Sequence, residues 1–214
     1  MDANRRALNA CILSMIGILA AEALAAWAIA RTGISVPAAI GLARAADLAL
    51  IALSMRICRL GRGEIYLPAG SLAGGLRRGL LWSAAFGAAA ALGVAAALLF
   101  GLEPLRLIRP PAAARGPEAV LFFAVGGVIG PLAEEVFFRG LLYRSLRPRG
   151  APAAILGTTL LFALLHPAAA GIPVTQLIGG LLFAAAVEVE KNLIVPATIH
   201  VLGNLAIFAL AYAG

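Results

Sequence analysis

The stretch AVLFFAVGGVIGPLAEEVFFRGLLY, residues 119–143, decides how this chain folds. As a helix rising 1.5 Å per residue, it is long enough to cross the ~30 Å hydrocarbon core of a bilayer. Glu134, Glu135 and Arg139 nevertheless sit inside it. A charge near the bilayer centre costs about 2.5–3.5 kcal/mol or more, so three of them need a reason. The two histidines of the chain, His166 and His200, also fall in apolar runs downstream. Carboxylate and imidazole groups at membrane depth point to chemistry performed inside the membrane.

Composition agrees with that reading. Of 214 residues, 62% are hydrophobic and 13% charged, whereas a soluble domain carries roughly 25% charged residues. Long apolar runs recur from end to end, which implies an integral membrane protein rather than a soluble domain with an anchor. The net charge of +7 is spread over the ends of apolar runs, the pattern of a topology determinant rather than of nucleic-acid binding. Cys11 and Cys58 lie in or beside apolar runs and read as packing residues. The first run resembles a signal peptide but is longer than an h-region, so it reads as a retained helix.

The expected fold class is all-α, a polytopic bundle of about seven transmembrane helices. They are placed at roughly 7–30, 36–57, 78–101, 118–146, 152–167, 172–188 and 192–212. Gly33 and Pro37 divide the first pair, and Pro68, Gly70, Gly74 and Gly75 precede the third. Pro104, Pro110, Pro111, Gly116 and Pro117 precede the fourth, and Pro148, Gly150 and Pro152 follow it. The short sixth element reads as a full, tilted or partial span. Residues 1–117 supply helices without a motif; residues 118–214 form the motif-bearing core of one membrane domain.

Orientation follows from the cations. With the N-terminus inside, eleven Arg and Lys residues, from Arg5 to Lys191, face the cytoplasm. Four, Arg31, Arg106, Arg109 and Arg115, face the other side. The positive-inside rule then gives N-in and C-out. In that frame Glu134 lies about 15 Å below the cytoplasmic face, His200 about 13 Å and His166 about 16 Å. Three helices bring three reactive side chains to one level.

Spacing refines the set. Glu135 and Arg139 are four apart, the favourable order for a helical acid–base pair, which leaves Glu134 free for other work. Phe162 and His166 are four apart, as are His200 and Asn204, which places an imidazole and an amide on one face. Glu134-Glu135-x-x-x-Arg139, Phe162-x-x-x-His166 and His200-x-x-x-Asn204 resemble the three ordered motifs of the CPBP (Abi) intramembrane protease family. That family includes the Ras-converting CAAX endopeptidase. The similarity spans residues 118–210, and the surrounding Pro131, Phe138 and Gly140 fit it too.

The resemblance implies hydrolysis of a peptide bond. Glu134 would be the general base on a water, His166 would hold that water, and His200 and Asn204 would donate to the oxyanion. Glu135, Arg139 and Phe162 would support them. A metal-free reaction is favoured, although the family carries a metalloprotease label. A zinc version would use Glu134, His166 and His200, but the chain has no H-E-x-x-H. The rival reading is a non-catalytic membrane scaffold or immunity-type partner protein on the same fold.

Other features have plainer explanations. Glu135 and Arg139 can simply pin their helix, and Arg44 with Asp47 reads as a packing pair in the second helix. Gly126, Gly127 and Gly130 suit tight helix packing. The partners expected are the lipid bilayer and a membrane-associated protein or peptide substrate, with no nucleic acid. An arginine-rich, Ala- and Gly-rich composition points to a bacterial cytoplasmic membrane, where a leader peptide, an anchored regulator or a C-terminal sorting tail suits better than a prenylated protein.

Overall fold

The computed structural model of the chain describes residues 3–102, 117–166 and 173–213. Among them there are seven helical rods and no strand, as the apolar runs require. These are α1 (Ala3–Thr32), α2 (Val36–Ile57), α3 (Leu72–Leu99), α4 (Glu118–Arg149), α5 (Ala151–Leu164), α6 (Val174–Glu190) and α7 (Ile194–Ala213). A single 3₁₀ turn, Arg62–Ile65, lies between α2 and α3. The expected loop residues Pro104, Pro110, Pro111 and Gly116, with Arg106, Arg109 and Arg115, lie outside the described residues.

Helices α1 to α4 are long and apolar enough to cross a membrane, while α5 and the apolar part of α7 are shorter. At 14 residues, α5 reaches only about 21 Å. That is shorter than the ~30 Å hydrocarbon core of a bilayer. Pro152 occupies its first turn, where the missing N–H costs nothing.

Three boundaries differ from the sequence expectation. Helix α1 starts at Ala3, so Arg5 and Arg6 are helical, and Arg6 reaches Glu64 at 2.7 Å. Helix α3 starts at Leu72, not near 78. Its Gly74 and Gly75, expected to break the chain, are inside the helix. A Cβ on Gly75 would lie 2.6 Å from Ile194 Cβ, and one on Gly79 would lie 2.5 Å from Thr198 Cβ. These glycines are where α3 docks on α7, a contact that local turn propensity does not encode. Helix α5 stops at Leu164, three residues short of the expected end, with consequences for His166.

The bundle places small residues inside and large ones outside. Gly75 and Gly79 are the buried positions of α3, while Leu76, Leu80 and Leu92 are exposed. That is the arrangement expected where lipid solvates the outer face and helices associate through close backbone approach. Helices α1 and α2 pair as a hairpin through Ala7, Ala10, Ser14, Ala43, Asp47 and Ser54, all buried. The Ser14 and Ser54 hydroxyls share a hydrogen bond of 2.6 Å across it. Cys11 and Cys58 are free thiols in the core beside Ile51, Ile65, Phe137 and Phe138. The hairpin packs directly on α4.

Candidate active site

Helix α4 is not a uniform α-helix. Two π-helical segments, Val125–Ile129 and Val136–Leu142, bracket the α-helical Gly130–Glu135 that carries both acids. In the first, the Gly130 amide bonds to the Val125 carbonyl, five residues back. The next amide in that register belongs to Pro131, which has no N–H, so the Gly126 carbonyl loses its partner. Asn204 of α7 fills the gap, donating Nδ2–H to Gly126 O at 3.0 Å. Close approach makes this contact reachable: a Cβ on Gly127 would meet Leu205 Cδ2 at 2.6 Å, and one on Gly126 would meet Phe208 at 2.9 Å.

Glu135 is fully buried and organises the interior of the site. Its Oε1 accepts from Arg139 Nη1 at 3.0 Å and from His200 Nδ1 at 2.9 Å. Arg139, equally buried, also donates from Nη2 to the Gly180 carbonyl of α6 at 3.2 Å. Three rings surround its guanidinium, with centroids at 5.6 Å for Phe138, 4.8 Å for Phe162 and 5.1 Å for Phe183. A buried ion pair is held in such a place only when further donors, acceptors and ring faces replace lost water. Phe183 also stacks on the His200 imidazole at 4.5 Å and 23°.

Glu134 faces the histidines. Its Oε2 lies 3.6 Å from His166 Nε2 and 3.8 Å from His200 Nε2. His166 is just past the end of α5, and its Nδ1–H donates to the Phe162 carbonyl at 2.7 Å. The four-residue spacing thus works as a side-chain cap on the last turn, not as two neighbours along a continuous helix. The rings still lie 4.3 Å apart. With acceptors on both Nδ1 atoms, the neutral tautomers carry the proton there, and their bare Nε2 atoms face Glu134.

A cavity of about 340 Å³ opens in front of Glu134 and His166. Ala133, Phe137, Phe138 and Leu165 line it from α4 and the end of α5. The remaining wall comes from α1 and α2: Met15, Ile18, Leu19, Glu22, Arg44 and Asp47. Arg44 and Asp47 do pair as expected, with Nη1 to Oδ2 at 2.9 Å, but they do so on the cavity wall. Arg44 also pairs with Glu22.

Of the residues expected from sequence, the fold gathers Glu134, His166 and His200 within 4 Å contacts and ties Glu135 and Arg139 to His200. Asn204, four residues beyond His200 on α7, binds the α4 backbone. The sequence reading missed Phe183, Gly180, Glu22 and the cavity role of Arg44 and Asp47. For the last three a signal existed, since ionisable groups inside apolar runs are the very feature that marked Glu134. For Phe183 there was none, because an aromatic in an apolar helix is ordinary.

Residues 116–206 match the family model described as Rce1-like, type II CAAX prenyl endopeptidase. The match encloses all three motifs, and the resemblance they carry is borne out. Neither the curated proteins nor the solved structures give a match.

Proposed function

From a C-terminal region that falls in a family of CAAX-type membrane proteases, we propose that this integral membrane protein is an intramembrane endopeptidase. The observation that carries the reading is the meeting of Glu134 Oε2 with the His166 and His200 Nε2 atoms on the edge of a cavity in the bundle. A water there has two protons and meets two acceptors, Glu134 Oε2 and His166 Nε2. With both protons directed away, a lone pair is left to attack a peptide carbonyl carbon.

Glu134 takes a proton as the C–O bond forms and returns it to the leaving amine as the C–N bond breaks. The carbonyl oxygen gains charge during attack and needs donors, each worth about 2.7–4 kcal/mol when preorganised. His200 donates from Nε2 only as imidazolium, because its Nδ1–H is engaged with Glu135. Asn204 donates through the amide proton not committed to Gly126. Glu135 and Arg139 fix the His200 ring and its tautomer.

The metal-free reaction is preferred to a zinc site on Glu134, His166 and His200 because the chain has no H-E-x-x-H, so no helix offers two histidines with a base. No step is routed through a metal. The substrate is a membrane-associated protein or peptide, taken from a bacterial cytoplasmic membrane in the N-in, C-out orientation. Apolar cavity walls from α1, Phe137 and Phe138 suit an extended segment with apolar side chains.

The test compares protein termini, mapped by mass spectrometry, in cells carrying wild-type protein or Glu134→Gln at matched abundance. Defined termini vanish in the variant if Glu134 is the base. Unchanged termini would sink the enzyme and favour the non-catalytic scaffold.

A further inference from the structure

We infer that Arg44 is a further substrate-contacting residue of this site, holding a peptide carbonyl oxygen against Glu134 and His166. The inference rests on the endopeptidase reading and adds to it the α1–α2 hairpin, which carries no family motif. Arg44 sits on the wall of the same cavity as Glu134 and His166, and among the described cavity-lining residues it is the permanent cation.

Its guanidinium is braced from two sides. Nη1 meets Asp47 Oδ2 at 2.9 Å, and Nη2 meets Glu22 Oε1. Asp47 is 1% exposed, and neither of its carboxylate oxygens has a hydrogen-bond partner among the described residues, so its contact with Arg44 is an ion pair. A carboxylate buried to that degree on a cavity wall is tolerable only beside its cation. The fork has five N–H groups in a fixed plane, so two anchors leave further donors for a ligand.

Arg44 and Glu134 approach one another over Gly130. A Cβ there would lie 3.1 Å from the Val125 carbonyl oxygen, with Arg44 Cδ at 3.9 Å and Glu134 Oε1 at 4.0 Å, so both side chains border the same small space. A bracing role for the hairpin explains less. Ser14 and Ser54 already join α1 to α2 without charge, and three ionisable groups at membrane depth are a costly way to repeat that.

The chemistry supplies the need. Peptide attack builds negative charge on the carbonyl oxygen, and Asn204 and His200 each have one donor position already engaged, by Gly126 and Glu135, so a further fixed donor adds to what they leave. The Arg44 fork offers fixed donors on the cavity wall, and preorganised donors of this kind act on developing charge.

Full-length variants are compared on synthetic peptides spanning the termini that Glu134→Gln abolishes in cells. Arg44→Gln is expected to lower kcat by about 10²–10³-fold, and Arg44→Lys, which keeps the charge, to recover part of that. Because Arg44→Gln strands Asp47, the double variant Arg44→Gln with Asp47→Asn is assayed alongside; it removes both charges and shows the same loss. Full turnover in the folded double variant, with Glu134→Gln inactive, overturns this proposal alone and makes Arg44 a bracing residue. Termini that do not depend on Glu134 overturn the endopeptidase reading and the role of Arg44 together.

Discussion

Asn204 donates to the Gly126 carbonyl at 3.0 Å, and that carbonyl is the one Pro131 leaves without an amide in the π register of α4. Two elements far apart in sequence thus share one hydrogen bond, which fixes the turn of α4 that ends in Glu134 and Glu135. Asn204 has a structural duty whatever it does for a substrate.

That duty is measurable. Asn204→Ala removes the donor and should destabilise the protein by about 0.6–2 kcal/mol, the range for hydrogen bonds between membrane helices. Pro131→Ala restores a backbone N–H in the register that lost one. In the double variant the Asn204→Ala loss should shrink, giving a favourable coupling in a denaturation cycle in detergent. Simple additivity would show that Pro131 and Asn204 do not share the Gly126 carbonyl.

The buried network of Glu135 separates stability from chemistry. Arg139→Met leaves Glu135 buried without its cation and should cost about 3–5 kcal/mol. Replacing both, as Glu135→Leu with Arg139→Met, should restore most of that stability, since an apolar pair of similar volume is often neutral. The His200 Nδ1 then has no carboxylate, and turnover should stay about 10–100-fold down. A double variant as active as the wild type would make the network purely structural.

Phe183 lies at the junction of the site and the bundle, stacked on His200 and beside Arg139. Phe183→Ala should lower stability by about 3–5 kcal/mol through the void it leaves. Phe183→Leu should regain part of this while losing the ring stack. The expected signature is lower kcat in the leucine variant with near-normal melting, followed by scanning calorimetry and peptide turnover.

A mechanism without a metal makes a plain demand on the purified protein. Activity should survive chelation, and elemental analysis of active protein should show well under one equivalent of zinc. Zinc at one per chain, with activity lost on its removal and regained on its return, would replace the proposed mechanism.

Much of this was legible in the residues. Apolar runs and breaks placed the helices, because backbone groups in lipid must bond within their own helix. The depth count put Glu134, His166 and His200 at one level, and the structure brings them within contact. Spacing found the Glu135–Arg139 pair. It misjudged His166, which sits past α5 as a cap on Phe162, since i and i+4 also describe a side chain folded back onto its own last turn. Gly75 was misjudged for a related reason: glycine marks both turns and close helix contacts, and only the partner helix decides which.

By itself, the sequence determined the seven helices seen among the described residues and the three motifs. These depend on hydropathy and on a rise of 1.5 Å per residue, both local properties. Only the tertiary structure decided that Asn204 would serve a proline-orphaned carbonyl, that Phe183 would stack on His200, and that Arg44, Asp47 and Glu22 would wall the cavity. Periodicity says which residues share a face of one helix. Which faces meet is settled by small residues, π segments and buried charges acting between helices, and no single helix contains that information.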